Sequence, residues 1–339
     1  MTPLATAIVL NHNGRGYVDA AVESLLRQDL EPLEVLVVDN GSTDGSDATL
    51  EQRFGARIRL LRAGGNLGFG AGNNLGIRAS RAPHVVLLNN DAVAAPGFVR
   101  ELVSAAEADP RVGMVAAKVL DGVGRRIDTV GHLLYPDGLN RGRGRLEPDS
   151  GQYDGCHDAL FPSGAAALYR RAMLDEVGLF DEAFFLYGDD AELGLRGRLA
   201  GWGCALAPRA VAYHHYSRSA GAYSSLKAFH VERNRVLVLL ELFPLVLILL
   251  SPFFTLARLS LHAWGALSGR GAAARLAHDT SLVHLVGVTL RAYWSALGLA
   301  PHALAARARF RPLRRLNTAA FLRLLAQYRL RAAEAALKD

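Results

Sequence analysis

The chain has almost no cysteine. Cys156 and Cys204 are the only two in 339 residues. They stand far apart and without metal-ligand spacing, so no disulfide framework is expected and a reducing compartment is the simpler reading. No basic region precedes the short apolar run of MTPLATAIVLNHNG, which reads as a first strand and not as a signal peptide. There is no Gly-Lys-Ser/Thr, hence no P-loop. In GGNLGFGAGNNLG, Asn73 stands where the third glycine of a dinucleotide fingerprint would be. Internal repeats and nucleic-acid motifs are absent. Acidic residues are scarce in the C-terminal stretch: residues 301–339 hold nine basic side chains against two acidic, leaving twenty-nine against thirty in the rest. The net charge of +6 therefore belongs to the tail. It argues for a basic appendage and against a body that binds nucleic acid.

Half of the residues are hydrophobic, enough for a large core. From residue 5 to about 120, TAIVLN, LEVLVVDN, RIRLLRA and HVVLLNND read as strands. RGYVDAAVESLLRQ and AGNNLGIRAS read as helices between them. This alternation implies an α/β fold with a mostly parallel sheet, in which ligands sit beyond the carboxyl ends of the strands. Three of the strands end in polar clusters, Asn11-His12-Asn13, Asp39-Asn40 and Asn89-Asn90-Asp91, which should meet on one edge. Residues 121–160, rich in Gly, Arg and Asp, read as a long irregular loop or edge hairpin. Order returns over 161–235. An apolar segment, Val236 to Ala257, then leads into an Ala- and Arg-rich helical tail. The expected division is a catalytic domain over 1–235 and a hydrophobic, basic helical region over 236–339.

Several clusters suggest chemistry. In VVDNGSTDGS, Asp39 either begins an Asx-turn before a helix or accepts hydrogen bonds from a nucleobase. The Gly-rich stretch 64–76 can offer backbone N–H groups and a helix N-terminus to a diphosphate. In LYGDDAEL, Asp189 and Glu192 read as a capping box. Asp190 is left over in the first turn, where burial and the helix dipole would tune a general base. The adjacent histidines of AYHHYSRS alternate faces on a strand, so only His214 or His215 can join Asp91 on a divalent cation. That donor pair suits Mn2+ better than Mg2+.

In order along the chain, IVLNHNG, VVDNGSTDGS, NLGFGAGNN, LLNNDA and SGAAALYRR…GLFDEAFFLYGDDAELGLRGRLAGW resemble the motifs of family 2 inverting nucleotide-sugar glycosyltransferases of the GT-A fold, in the branch of the bacterial rhamnosyltransferases. YHHYSRS and Arg233-Asn234 follow in the family's order, and the resemblance covers Thr6 to Asn234. It implies a donor nucleotide sugar (dTDP-, UDP- or GDP-linked) and a Mn2+ or Mg2+ cofactor. NND stands in the place of the Asp-x-Asp metal motif, with Asn89 for the first acid and Asp91 keeping the metal, aided by His214. Asp190 matches the catalytic base, and Asp189 stands where a glutamate is usual. The donor-binding set expected is Asn11, Asn13, Asp39, Asn40, Ser42, Asn66, Gly68, Asn73, Asn89 and Asn90. Two other readings stay open: a non-catalytic nucleotide-sugar-binding assembly subunit, and a nucleotidylyltransferase, for which NHNGRGY offers only Arg15 near the first strand.

The resemblance also implies an acceptor carried on a lipid, in cell-surface polysaccharide assembly at the cytoplasmic face of the inner membrane. Val236–Ala257 is interrupted by Glu241, Pro244 and Pro252, so it is expected to lie in or dip into the bilayer, short of a true span. Arg307, Arg309, Arg311, Arg314 and Arg315 would add attraction to an anionic surface.

Overall fold

The structure, a computed structural model, describes residues 2–215, 224–269 and 282–337. Part of the YHHYSRS motif, Tyr216 to Ser219, lies outside the described residues. The chain packs as two units. The first comprises 1–132 and 142–219, the second 133–141 and 220–339. Packing thus puts the division at 219/220 and adds a nine-residue excursion to the second unit. A cut at 235 would fall inside a helix.

The first unit is built on one sheet. Strands β1 (Ala5–Asn11), β2 (Leu33–Asp39), β3 (Arg59–Arg62) and β4 (His84–Asn89) run parallel, with helices α1 (Val18–Leu26), α2 (Ser46–Phe54) and α3 (Phe69–Ala79) in the crossovers. After β5 (Ala92–Ala94), α4 (Phe98–Glu107) leads to β6 (Val112–Asp121) and the short strand β7 (Ile127–Thr129) paired with it. Beyond the ribbon β8 (His132–Leu134) and β9 (Asn140–Gly142) come β10 (Ala166–Arg170), α5 (Arg171–Val177), α6 (Asp189–Leu199) and β11 (Gly203–His214). The spatial order is β3-β2-β1-β4-β10-β6-β11-β5. Val85, Val86, Leu87 and Leu88 are all buried, as the uninterrupted apolar run requires of a central strand covered on both faces. Of the two readings of 121–160, irregular loop or edge hairpin, the structure has the hairpin at its start, where β7 pairs with β6.

The second unit is helical. α7 (Ser225–Leu242) is capped by Ser224, whose hydroxyl accepts from Lys227 N at 3.2 Å. It ends at Phe243-Pro244, so the apolar stretch expected as one segment is divided between α7 and α8 (Leu245–Leu267). Proline at 252 cannot donate to the carbonyl of Ile248. The Ser251 hydroxyl does so instead, at 2.8 Å, and the helix continues. α9 (Leu282–Phe310), α10 (Thr318–Gln327) and α11 (Ala332–Leu337) follow among the described residues.

α8 is built inside out. Its inner stripe is polar: Ser251, Thr255 and Arg258 recur at helical spacing, and Arg258 is only 2% exposed. Arg258 donates to Asp137 at 2.9 Å and to both carboxylate oxygens of Glu232, at 2.7 and 3.0 Å. Its outer stripe is apolar, with Leu249, Phe253 and Leu256 exposed by 68%, 72% and 65%. A soluble amphipathic helix has the reverse arrangement. On α9, alanines 292, 296 and 303 are buried, while Val286, Leu290, Trp294 and Leu297 form an exposed row.

Candidate active site

The polar strand ends do meet. Asn11 and Asp39 are register partners across β1 and β2, and Leu10 pairs with Asn89 across β1 and β4. Asn11 Nδ2 donates to Asp39 Oδ1 (3.2 Å), Ser42 Oγ (3.1 Å) and Ser46 Oγ (2.9 Å), and its Oδ1 accepts from Asn90 Nδ2 (3.2 Å). Asp39 Oδ2 accepts from Ser42 N, which turns the chain tightly after β2. Asp39 is thus a buried anchor of this edge, and each of its oxygens keeps a further lone pair. Asn13, with φ of 53°, accepts from Thr43 N at 2.8 Å and joins the same turn.

The Gly-rich loop is tied to this edge by Asn40. Its amide donates to Asn66 Oδ1 and to the Gly68 carbonyl, and its Oδ1 accepts from Leu67 N. Gly68 has φ of +86°, and a Cβ there would lie 2.3 Å from the carbonyl oxygen of Phe185, so only glycine fits. The next residue, Phe69, donates its N–H to that carbonyl at 2.6 Å. The Gly-rich loop therefore docks on the segment just before the acids of α6, where Phe185 and Tyr187 hold positive φ of 62° and 63°, a strain typical of functional loops. Asn73 sits deeper than expected. It is buried, and its amide donates to the Phe69 carbonyl one turn back. Its neighbour Asn74 braces the 180s segment, exchanging hydrogen bonds with both Phe180 N and O.

At the end of β4 the chain turns through Asn90 and Asp91 into β5, which pairs with β11 so that Ala92 faces His214. His214 Nε2 lies 3.1 Å from Asp91 Oδ1, and Nδ1 lies 2.8 Å from Asp128 Oδ2. Asn89 Nδ2 approaches Nε2 at 3.5 Å. Asp128 is held in turn by Arg145 at 2.5 Å. Burial alone would push the His214 imidazole down, but the carboxylates of Asp128 and Asp91 outweigh it and hold it up to about 10. Asp128 is buried too, which would raise it, yet the His214 bond and the nearby cations keep it below the ordinary carboxylate range. His215 is exposed and packs beside Gly122. Of the two histidines, His214 is therefore the one beside Asp91. A carboxylate oxygen and an imidazole nitrogen 3.1 Å apart, with the other ring nitrogen fixed by a second carboxylate, become a donor set suited to a borderline divalent cation when the cation displaces the imidazolium proton.

The second acid group sits at the start of α6. Gly188, in the left-handed region, takes the N-cap position, so the expected capping box is not formed. Glu192 instead makes a bidentate pair with Arg196, both contacts at 2.6 Å. Asp189 is 3% exposed, and its Oδ2 is buried without a hydrogen-bond partner among the described residues. Burial, then the charge of Asp190, pushes the Asp189 carboxyl up, so that it favours the neutral form. Asp190 is the more accessible of the two, with 17% of its side chain exposed. Its Oδ2 accepts from Gly164 N at 3.2 Å and lies 3.9 Å from His132 Nε2. Residue 165 accepts from Asn89 N at 2.9 Å, so a single stretch of backbone, 164–165, connects the end of β4 to Asp190.

Asp128 and His132 were not singled out by sequence. Both come from the Gly- and Arg-rich stretch, and the site residues they meet, His214 and Asp190, lie far away in the chain. The available signal was the alternation in RIDTV, where Ile127 and Thr129 are buried on either side of Asp128.

A parallel sheet with polar groups gathered at its carboxyl edge, a Gly-rich loop, one carboxylate–imidazole pair and one accessible carboxylate define a nucleotide-diphosphate-sugar transferase architecture of the GT-A type. The chain belongs to Glycosyl transferase family 2, whose match spans residues 6–178. It is 30% identical over 260 residues to the N-acetylglucosaminyl-diphospho-decaprenol L-rhamnosyltransferase of Mycobacterium tuberculosis, covering 68% of this chain and 82% of that one. Two solved structures share the fold. One is a mannosyltransferase from Pyrobaculum calidifontis in complex with GDP-Man and Mn2+ (TM-score 0.54, 18% identity, 92% of this chain and 86% of that one). The other is S. aureus TarS 1–349 in complex with UDP-GlcNAc (TM-score 0.54, 16% identity, 97% and 92%).

Proposed function

We propose that the protein transfers a sugar, rhamnose or a close relative, from a nucleotide-diphosphate donor to a hydroxyl of a lipid-linked glycan, with inversion. The observation that carries this reading is the pairing of two unlike acid groups across the 164–165 backbone: Asp91 beside a carboxylate-oriented histidine, and Asp190, partly accessible, at a helix start beside His132. Asp39, Asn13, Ser42 and Asn66 receive the nucleoside. Asn11, Asn40, Asn89 and Asn90 hold the strand-end turns in place, and Gly68 lets the loop approach. Asp91 and His214 would hold Mn2+ or Mg2+. When bound, the cation supplies neutralisation of the charge that builds on the departing diphosphate.

Asp190 takes the proton of the acceptor hydroxyl. Its Oδ1 accepts from Ala191 N at 2.8 Å and its Oδ2 from Gly164 N at 3.2 Å, which together aim the carboxylate. The acceptor oxygen forms its bond to the anomeric carbon as the bond to the nucleoside diphosphate breaks, so the configuration inverts. Burial pushes the neighbouring Asp189 carboxyl up, so that it favours the neutral form. The test is Asp91→Asn. Divalent-cation-dependent turnover and Mn2+ binding should both be lost while the thermal transition is kept. Near-full activity at low metal would refute the assignment.

The neighbouring reading on location is that α8 and α9 lie in the plane of the membrane at its cytoplasmic face, where nucleotide sugars are available. α8 is long and apolar enough to cross a bilayer by length and composition, over Leu245–Gly265. Its inner stripe, however, ion-pairs with the non-helical segment 133–141, and irregular backbone is not tolerated at full membrane depth unless it is enclosed by protein. An in-plane helix keeps that stripe on the protein and immerses Leu249, Phe253 and Leu256 to about 5–10 Å. Phe253→Trp, with Trp264 and Trp294 changed to Phe, reads the depth. Quenching should be strongest with phospholipids brominated near the headgroup; strongest quenching by bromines at the chain ends would mean a span.

A further inference from the structure

The arginine cluster near residue 310 has no part in the chemistry above, and it is not a loose solvated tail. Four of its members, Arg307, Arg311, Arg314 and Arg315, line one cavity of about 880 Å³ within the second unit. Such a volume is ample for a small-molecule site. Glu241 is the only carboxylate in the lining. Two of the arginines are fixed in place by the end of α7. Arg307 Nη1 donates to the carbonyls of Leu240 (3.0 Å) and Phe243 (2.8 Å), and Arg314 Nη1 to that of Leu242 (3.0 Å). None of these bonds uses Nη2 of either side chain. Burial, and for Arg314 the charge of Arg307, lowers the proton affinity of both guanidiniums, as expected where like charges are held together. Arg311 and Arg315 are exposed. The start of α10 also faces this cavity: Asn317, which caps that helix by accepting from Ala320 N at 2.9 Å, and Thr318 are part of its lining.

Guanidiniums gathered at a helix N-terminus are a phosphate-binding chemistry. The cavity has a second, independent feature. Its lining runs on to Pro244 and Leu245, where the outward apolar row of α8 begins and Leu245 is itself 64% exposed. The charged cavity and the apolar row therefore adjoin, one suited to a phosphate and the other to a hydrocarbon tail. We propose that this cavity binds the diphosphate of the polyprenyl-linked acceptor, with the prenyl tail laid along the Leu245–Leu249–Phe253 row of α8. The proposal rests on the lipid-linked reading of the acceptor and concerns how that lipid is held, separately from the transfer step.

The experiment uses the full chain in neutral detergent with EDTA, which removes cation-dependent diphosphate binding at the strand ends. Farnesyl diphosphate and inorganic diphosphate are titrated separately. The wild type should bind farnesyl diphosphate about tenfold or more tightly than inorganic diphosphate. The double variant Arg311→Gln/Arg315→Gln, whose side chains are exposed and cap no helix, should weaken farnesyl diphosphate binding by roughly 10–100-fold at an unchanged thermal transition. Leu249→Gln/Phe253→Gln should erase the advantage of the prenylated ligand. Equal binding of the two ligands by the wild type, or no change in the arginine variant, overturns the proposal. So does complete displacement by equimolar phosphatidylglycerol, which would make this a phospholipid headgroup site. A wild type that hydrolyses a nucleotide-sugar donor but never binds farnesyl diphosphate loses this cavity assignment alone. One that binds farnesyl diphosphate as described but hydrolyses no donor keeps the cavity and loses the transferase reading.

Discussion

Each unit of the molecule buries a network of charges, and the two networks are built differently. In the second unit, Asp137 and Glu232 face Arg235 and Arg258. Glu232 accepts from Arg258 twice and from Arg235 at 2.7 Å, and Asp137 accepts from Arg258, Thr255 and Leu139 N. Burial would raise the Glu232 carboxyl, but Arg258 and Arg235 outweigh it and hold it well below its ordinary range. Charge is balanced, and the oxygens are satisfied by fixed donors. In the first unit, Asp91 and Asp128 are answered by His214 and Arg145, Asp190 lies 3.9 Å from His132, and a buried oxygen of Asp189 has no hydrogen-bond partner among the described residues. A balanced buried network specifies packing. An acid-rich one with perturbed groups marks chemistry. The difference separates the charges that hold the packing from those proposed to act in transfer more clearly than burial does.

The comparison breaks first at Asp190. Asp190→Asn should lower turnover by about two to four orders of magnitude with donor affinity near wild type, read by single-turnover kinetics and donor titration. A larger loss in Asp189→Asn would mean that the working acid is its neighbour. The balanced network predicts the opposite kind of effect. Asp137→Ala leaves Arg258 short of a partner and should cost about 3 kcal/mol or more of stability, seen in denaturant melts, while donor hydrolysis by the folded fraction persists. If Asp137→Ala abolishes hydrolysis at full stability, the division between the two networks is wrong. Asp128→Asn comes next. It should weaken Mn2+ binding, followed by electron paramagnetic resonance, by roughly 10–100-fold, because the imidazole loses the carboxylate that orients it. An unchanged affinity would reduce Asp128 to a packing residue.

The smallest effect concerns pH. The Asp189 carboxyl is raised in the folded protein, so between its ordinary range and its folded value the native state holds a proton that the unfolded chain has released. Stability should therefore fall as pH rises through that window. Asp189→Asn, which cannot ionise, should flatten that part of the melting-temperature profile. An identical slope in both proteins would show that Asp189 is already ionised in the native state.

The strand-end site was largely legible because its signals are local. A run such as VVLL has to be a buried strand, and polar residues after a parallel strand have to fall on the ligand edge. The choice between His214 and His215 needed the register of β11 on β5, which no local pattern contains. Asp128 and His132 were hidden because a hairpin supplies them and the site residues they meet, His214 and Asp190, are 86 and 58 residues distant. The capping box failed for a local reason: Gly188 adopts a left-handed conformation that takes the N-cap and leaves Glu192 to Arg196. The hydrophobic segment was legible by composition, but its inverted orientation was not. Ser251, Thr255 and Arg258 read as interruptions until Asp137, over a hundred residues earlier, shows what they face.

That separation has a consequence for how the protein is made. Asp137 leaves the ribosome with the strands of the first unit, but Arg258 follows 121 residues later, roughly 6 to 24 s at ordinary rates of synthesis. Until then an aspartate destined for complete burial has only Arg235, 3.7 Å away in the finished fold, to answer it, and the excursion 133–141 lacks the α8 side chains that bind it. The first unit can begin to assemble its sheet in this interval, but the second cannot close before α8 is made. Nascent chains arrested between β11 and Arg258 should hold an ordered sheet with 133–141 still open to protease.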